Sequence, residues 1–355
     1  MRENAWEVNS KFASLESDVG KLETSDIKRQ TFTMLLAGDI GGTKTLLGLF
    51  DPKSRPRPRA LAVRTFGTLD YEGLTSIIAA FLEEEGRTNT TIDMACFGVA
   101  GPVFGDTAKP TKVPWGIEAG LVASTFGIDR VRLLNDLEAM AYSVPVLHKS
   151  EVHALQQGEA LPGGNIALIA AGTGLGESLL HHVNGRLTTS PSEGGHADFA
   201  ARTEGEVKLM QELTRQFGRA SLDQVLTGRG LVNIHRALHA ECSANINLED
   251  PDAPAAISTF GLERTCRCCR EALELFVEAY GAEAGNLALR YVSTGGVFIG
   301  GGIAPKILPA LTTGAFMRAF RAKAPFEAML ARMPVKVILN AESGLLGAAV
   351  YAASE

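Results

Sequence analysis

The sequence predicts an α/β fold built as two lobes, on three observations. Apolar strand-like runs alternate with helical stretches, the pattern of a largely parallel sheet covered by helices. A strand running into a glycine turn occurs once at Asp39 to Thr43 and again at Ala171 to Gly176, which suggests two related halves. The length of 355 residues exceeds what one core comfortably supports, and a cleft between two lobes is a common ligand site.

The first strong strand is Met34 to Ile40, which passes through Gly41-Gly42-Thr43 into a second apolar run, Leu46 to Phe50, and so reads as a hairpin. A helix follows around Tyr71 to Glu85, then a strand Met94 to Val99 ending in Ala100-Gly101-Pro102. A helix near Gly116 to Phe126 leads to the strand Val131 to Leu134, which ends in Asn135-Asp136. The second series opens with the strand Ile166 to Ala170 and its turn Gly172-Thr173-Gly174. It continues with a helical region from Glu206, an Asp/Pro/Ala-rich surface loop from Asn247 to Ser258, and one or two helices over Glu263 to Tyr291. A strand-turn at Gly295 to Pro305, a late strand Val335 to Leu339 and a buried helix at Gly344 to Tyr351 complete the chain. The expected division is an extension over 1–33, a small lobe over 34–146 completed by 336–355, and a large lobe over 147–335. Within the extension, Phe12, Leu15, Val19 and Leu22 recur at helical spacing and predict one short amphipathic helix.

Composition narrows the function. Hydrophobic residues at 45% and charged residues at 21% exclude a disordered or fibrous chain. A net charge of −6 gives no general attraction for nucleic acid or anionic lipid, so any phosphate must be held by a local site. No apolar run reaches the roughly 18 residues of a membrane span, and no signal-peptide segment opens the chain. Five cysteines, three of them at 266, 268 and 269, do not resemble a secreted disulfide framework and fit the cytoplasm. Those three invite a metal reading. On a helix, however, Cys268 points away from the face shared by Cys266 and Cys269, and no histidine is adjacent, so packing or surface roles are expected.

Three glycine turns follow strands, at 38–43, 171–176 and 300–302, and glycine lets backbone N–H groups approach an anion closely. None matches a P-loop, and each alone reads equally as a tight turn. Asp39 adds a carboxylate beside the first turn. Such a group serves Mg²⁺ through water or simply caps the turn. Asn135 and Asp136 end a strand before Leu137-Glu138-Ala139-Met140, where helix capping is the competing reading. Chemically, a positioned aspartate there accepts the proton of a hydroxyl nucleophile during phosphoryl transfer, which makes Asp136 the candidate general base.

Taken together, Asp39-Ile-Gly-Gly-Thr43, Leu134-Asn-Asp136, Gly172-Thr-Gly-Leu-Gly176, Glu193-Gly-Gly-His196 and Gly300-Gly-Gly-Ile-Ala-Pro305 resemble the bacterial glucokinase family, in order and spacing. The resemblance runs from Met34 to the C-terminus and includes Ala284 to Leu289 and Gly344 to Gly347. It implies the two-lobed actin-like ATPase fold, of ribonuclease-H-like topology with an interlobe cleft, and transfer of the ATP γ-phosphoryl group to the 6-hydroxyl of glucose. By the same resemblance, Gly38, Asp39, Gly41, Gly42, Thr43 and Lys44, with Gly172, Thr173 and Gly174, bracket the phosphates, and Gly301 and Gly302 lie near adenosine. Asp39 serves Mg²⁺, Asp136 is the base, and Asn135, Glu193, His196 and Asp223 hold the hexose. A homodimer is implied as well.

Three positions depart from the family pattern. Lys44 replaces the usual asparagine after Gly-Gly-Thr, Asp223 replaces the usual glutamate, and Lys112 stands where a Thr-Asn pair normally precedes the tryptophan that here is Trp115. The last two touch the sugar loops and leave room for another hexose, such as mannose or an N-acylhexosamine, as substrate. A catalytically silent sugar sensor on the same scaffold is the reading from another class. Residues 1–33 are too short and insufficiently basic to supply its DNA reader.

Overall fold

The computed structural model describes residues 34–355 apart from positions 89, 191, 240, 241, 243 and 245. The helix expected around Phe12 to Leu22 lies outside them.

Chain order begins β1 (Met34–Ile40), β2 (Lys44–Asp51), β3 (Arg59–Gly67), α1 (Leu74–Glu84) and β4 (Ile92–Val99). The short strands β5 (Val103–Phe104), β6 (Thr107–Ala108) and β7 (Ile117–Glu118) form a separate flap before α2 (Ala119–Phe126), β8 (Arg130–Asn135) and α3 (Asp136–Ser143). The second half holds β9 (Val152–Gln156), β10 (Ile166–Ala171), β11 (Leu175–Val183), β12 (Arg186–Ser190), α4 (Glu204–Phe217), α5 (Gly228–Leu238), α6 (Ala253–Leu262) and α7 (Arg267–Tyr291). It ends with β13 (Gly296–Gly300), α8 (Leu308–Leu311), α9 (Ala315–Arg321), α10 (Glu327–Arg332), β14 (Val335–Ile338) and α11 (Ser343–Ser354).

The two sheets repeat one topology. The first runs β3-β2-β1-β4-β8, and the second runs β12-β11-β10-β13-β14 with β9 added at the edge. In each, two antiparallel hairpin pairs precede two parallel pairs. The central strands β1 and β10 are buried along almost their whole length, which is why both read as continuous apolar runs. In the parallel sets β1, β4, β8 and β10, β13 the strands finish at the same end, and every predicted glycine turn lies there.

Each sheet buries both faces. Leu36, Ile40, Phe97 and Leu133 pack against Ile77, Phe81 and Val122 of α1 and α2, while Leu35, Ala37 and Cys96 pack against Leu345, Ala348 and Ala352 of α11. The last helix thus returns to the first sheet, whereas β14 pairs within the second. In the second sheet Ile169, Val297 and Val337 meet Phe276, Tyr280 and Phe316 of α7 and α9. Its other face, through Leu168 and Phe298, meets Ala141 of α3.

Several elements were not anticipated, among them β9, β11, β12 and α8 to α10, and two differences have a clear local cause. The segment read as a surface loop up to Ser258 becomes helical at Ala253, because Pro254 suits a first helical turn and Ala253 and Ile257 find a core to fill. The strand β3 was invisible in the sequence, since Arg59 to Leu61 are exposed and show no apolar alternation at a sheet edge.

Candidate active site

Gly38 sits inside β1, paired on both sides, and a methyl group there would stand 2.6 Å from Phe97 and 2.9 Å from Leu47. It is a packing glycine, and the turn itself begins at Gly41. The Gly41 N–H donates to Lys44 O at 2.9 Å. A Cβ on Gly42 would meet Thr111 O at 2.8 Å, so the neighbouring loop presses directly on the turn. Thr43 and Lys44 are exposed. The buried Thr68 holds this loop in place: its hydroxyl donates to Gly41 O at 2.8 Å, its N–H donates to Thr43 O, and it shares a hydrogen bond with Thr45. No sequence motif marks Thr68, whose partners lie more than twenty residues away.

At the end of β8, Asn135 caps α3. Its Oδ1 accepts from Leu137 N at 2.9 Å, and Glu138 returns a bond to Asn135 N, completing a capping box. The Asn135 Nδ2 donates to Gly101 O at 3.3 Å. Capping and the strand-end position therefore coexist. The Asp136 carboxylate accepts from Leu137 N at 2.9 Å. Burial pushes Asp136 up to about 6 against the pull of these hydrogen bonds, and the Glu193 carboxylate adds to the rise. Burial and then Asp136 likewise push Asp39 up to about 6. Asp39, Asp136 and Glu193 thus share one electrostatic neighbourhood, although they are 97 and 57 residues apart in sequence.

The second sheet supplies the opposite wall. Gly172 N donates to Gly174 O at 3.0 Å, and Thr173 and Gly174 are exposed. Gly301 has φ 82°, a left-handed conformation suited to glycine, and its α-carbon faces Ala171 O. The turns after β10 and β13 therefore lie side by side, with Gly302 exposed beyond them. Gly176 packs on the Leu137 side chain at 2.5 Å from the place a Cβ would take, which draws this wall against the helix carrying Asp136. Thr189 Oγ1 donates to Glu138 at 3.0 Å across the same junction.

Glu193 caps and His196 ends a one-turn helix, Gly194–His196, and both residues are exposed. Gly195 packs so tightly on Leu175 O that no side chain fits. Asp223 is placed differently from the other sugar candidates: its N–H donates to Gly195 O at 2.7 Å, and its Oδ1 accepts from Leu175 N at 2.9 Å. It locks the Glu193 loop to the Gly172 turn. Beneath that loop lies Glu177, a buried carboxylate absent from the sequence reading. Burial and then Glu283 push it up to about 7, against the pull of Arg290.

Turns that bring backbone N–H groups and carboxylates to the strand ends of two ribonuclease-H-like sheets define an actin-like ATPase fold with a site suited to phosphoryl transfer. The glucokinase family model matches residues 36–355. A glucokinase of Nostoc punctiforme is 39% identical over 341 residues, covering 90% of this chain and 99% of that one, and a glucokinase of Cronobacter sakazakii is 36% identical over 316 residues, with 89% and 96% covered. Among solved structures, a glucokinase from an Antarctic psychrotroph superposes with a TM-score of 0.81 at 29% identity, covering 91% of this chain and 99% of that one. A glucokinase of Streptomyces griseus, solved with glucose and AMPPNP, shares the fold at a TM-score of 0.61 and 19% identity, covering 91% and 100%. The chain belongs to the glucokinase family.

Proposed function

We propose that this glucokinase transfers the γ-phosphoryl group of ATP to the 6-hydroxyl of glucose, with Asp136 as the general base. The observation that carries the reading is the placement of Asp136 at the end of β8, at the head of α3, with its carboxyl raised to about 6. At neutral pH the group is ionised, yet its affinity for a proton is higher than that of an ordinary aspartate, which suits a base acting on a sugar hydroxyl. Exposed Glu193 and His196 offer an acceptor and an imidazole to sugar hydroxyls, and the Asn135 amide lies beside Asp136 at the same strand end. The exposed Thr43, Lys44, Thr173 and Gly174 offer hydroxyl, ammonium and backbone donors to the phosphates from both sheets.

Asp39 fits a Mg²⁺ role, because burial and the Asp136 carboxylate raise the cost of its charge and a cation relieves that cost. When bound, Mg²⁺ neutralises charge on the phosphates. We place the lobe boundary within the chain at 34–146 joined by the C-terminal helix, against 147–335, and read a homodimer from the family resemblance and the cytoplasm from the cysteine pattern. Among the described residues no helix is long and apolar enough to cross a membrane.

A coupled assay of ADP formation tests the activity, with glucose expected to support turnover far above background. Absence of turnover with any hexose overturns it. Mannose or an N-acylhexosamine as the better substrate is the second reading. Lys112 and Asp223, which depart from the family's usual residues in the sugar loops, favour it. A kcat/KM comparison across the three sugars decides between them.

A further inference from the structure

Far in sequence from the glycine turns, one cluster of side chains is left without a role. His235 on α5, Cys242 after it, and Cys266, Cys268 and Cys269 at the start of α7 converge on one place. This differs from the packing or surface roles expected of the cysteines, because the fold brings in a histidine and a fourth thiol from 24 or more residues away. The Cys242 and Cys266 sulfurs are 3.3 Å apart. Potential ligand atoms of His235, Cys242 and Cys269 all lie within 4.8 Å of one another, and so do those of Cys242, Cys266 and Cys268. No disulfide joins the described cysteines. A tetrahedral ion with metal–sulfur bonds of about 2.3 Å holds its sulfurs roughly 3.8 Å apart, a spacing close to that within each of these two trios, which share Cys242.

The histidine is the telling member. His235 is 3% exposed, and neither ring nitrogen has a hydrogen-bond partner among the described residues. Buried polar atoms are rarely left in that state without an unseen partner. On the other side, Cys266 is the N-cap of α7, and its sulfur accepts the Cys269 N–H at 3.4 Å. A sulfur at a helix N-terminus is held where negative charge is favoured. Cys266 and Cys269, three residues apart, share a helix face.

We propose that His235, Cys242, Cys266 and Cys269 form a structural site for one thiophilic divalent ion of the zinc class. Each thiol that binds releases its proton to solvent as the metal–sulfur bond forms. The ion clips the end of α5 to the start of α7 and closes the segment between them. At the opposite end of α5, Gly228 N donates to Gly172 O at 3.1 Å, so the clip steadies the helix that abuts the phosphate turn.

The test uses the untagged full chain, purified reduced and without chelator, then incubated with zinc and desalted. Elemental analysis is expected to give about one zinc per chain, and cobalt in its place is expected to show sulfur-to-metal charge-transfer bands with the visible pattern of a tetrahedral site. Cys242→Ser and His235→Asn are expected to cut bound metal at least tenfold, while Cys96→Ala, in the other sheet, retains it. Chelation is expected to lower Tm. Unmodified protein that binds less than about a tenth of an equivalent of zinc and shows no thiolate bands with cobalt overturns the proposal, as does a Cys242–Cys266 disulfide in the reduced preparation. Metal content is read independently of sugar phosphorylation, so failure of the kinase reading leaves the result interpretable.

Discussion

The Oδ1 of Asp223 accepts the backbone N–H of Leu175 at 2.9 Å, which makes a residue aligned with a sugar ligand into the brace of the Gly172 to Gly176 turn, the proposed phosphate turn. The shorter aspartate side chain matches this role, because its own N–H is already held by Gly195 O and little reach remains. Asp223→Ala is expected to loosen the Gly172 to Gly176 turn. Losing a hydrogen bond to a charged acceptor costs about 1.5–3 kcal/mol. Steady-state kinetics should therefore show kcat/KM for ATP falling by roughly tenfold or more, with kcat also reduced. A change confined to the glucose KM would assign Asp223 to the sugar alone.

Gly344 and Asp39 make a comparable pair. A Cβ at Gly344 would stand 2.6 Å from Asp39 Oδ2, so the head of α11 closes over the proposed Mg²⁺ carboxylate. Alanine normally outranks glycine in a helix, by about 1 kcal/mol. Here Gly344→Ala is expected instead to destabilise the protein by about 1–3 kcal/mol, through overpacking, and to raise the Mg²⁺ concentration needed for half-maximal rate. Thermal melts and a Mg²⁺ titration check both, and a stabilised variant with unchanged Mg²⁺ dependence contradicts the contact.

The raised carboxyls set the pH dependence of activity. A base with a value of about 6 is idle when protonated, so kcat/KM for glucose is expected to rise with pH through about 6 and to level off above 7. Glu193 contributes to the rise in Asp136. Glu193→Gln removes that negative charge and is expected to move the ascending limb to lower pH, besides weakening sugar binding.

The same shifts act on stability with the opposite sign. Asp39 moves from the usual 3.8 to about 6 on folding, so the folded protein holds this proton more tightly than the unfolded chain. Its favourable contribution is therefore complete below pH 3.8 and is lost as pH rises through about 6. Asp39→Asn is expected to raise Tm clearly more at pH 8 than at pH 5, because the unfolded carboxyl is ionised at both values while the folded one gives up its proton only through about 6. A Tm gain of equal size at both pH values would show that charge is not the cause.

What the sequence revealed and what it concealed divide by distance along the chain. Asp39, the Gly41-Gly42 turn, Asn135-Asp136 and the Gly172 to Gly176 turn are local patterns at strand ends, and local patterns are readable one segment at a time. Thr68, Glu177 and Gly344 act through partners in other elements, and nothing in their immediate neighbours announces it. The His235–Cys242 half of the thiol cluster shows the same limit, since only the approach of α5 to α7 reveals it. Gly38 fails in the other direction: it lies beside the Gly41-Gly42 turn, yet its missing side chain makes room for Phe97 and Leu47. The interchange of Lys112 and Asp223 for the family's usual residues was visible, but its consequence for sugar choice depends on loop contacts that a linear pattern does not carry.

The most direct test of the account is a comparison of Asp136→Asn with the unmodified enzyme, measuring kcat in the coupled assay and glucose affinity by equilibrium binding. Asparagine keeps the size of the side chain and its bond to Leu137 N but cannot take the hydroxyl proton. The account predicts a fall in kcat of about 10²- to 10⁴-fold with glucose affinity changed by less than roughly threefold. A variant that retains most of its turnover, or that loses affinity and turnover to the same extent, contradicts Asp136 as the general base.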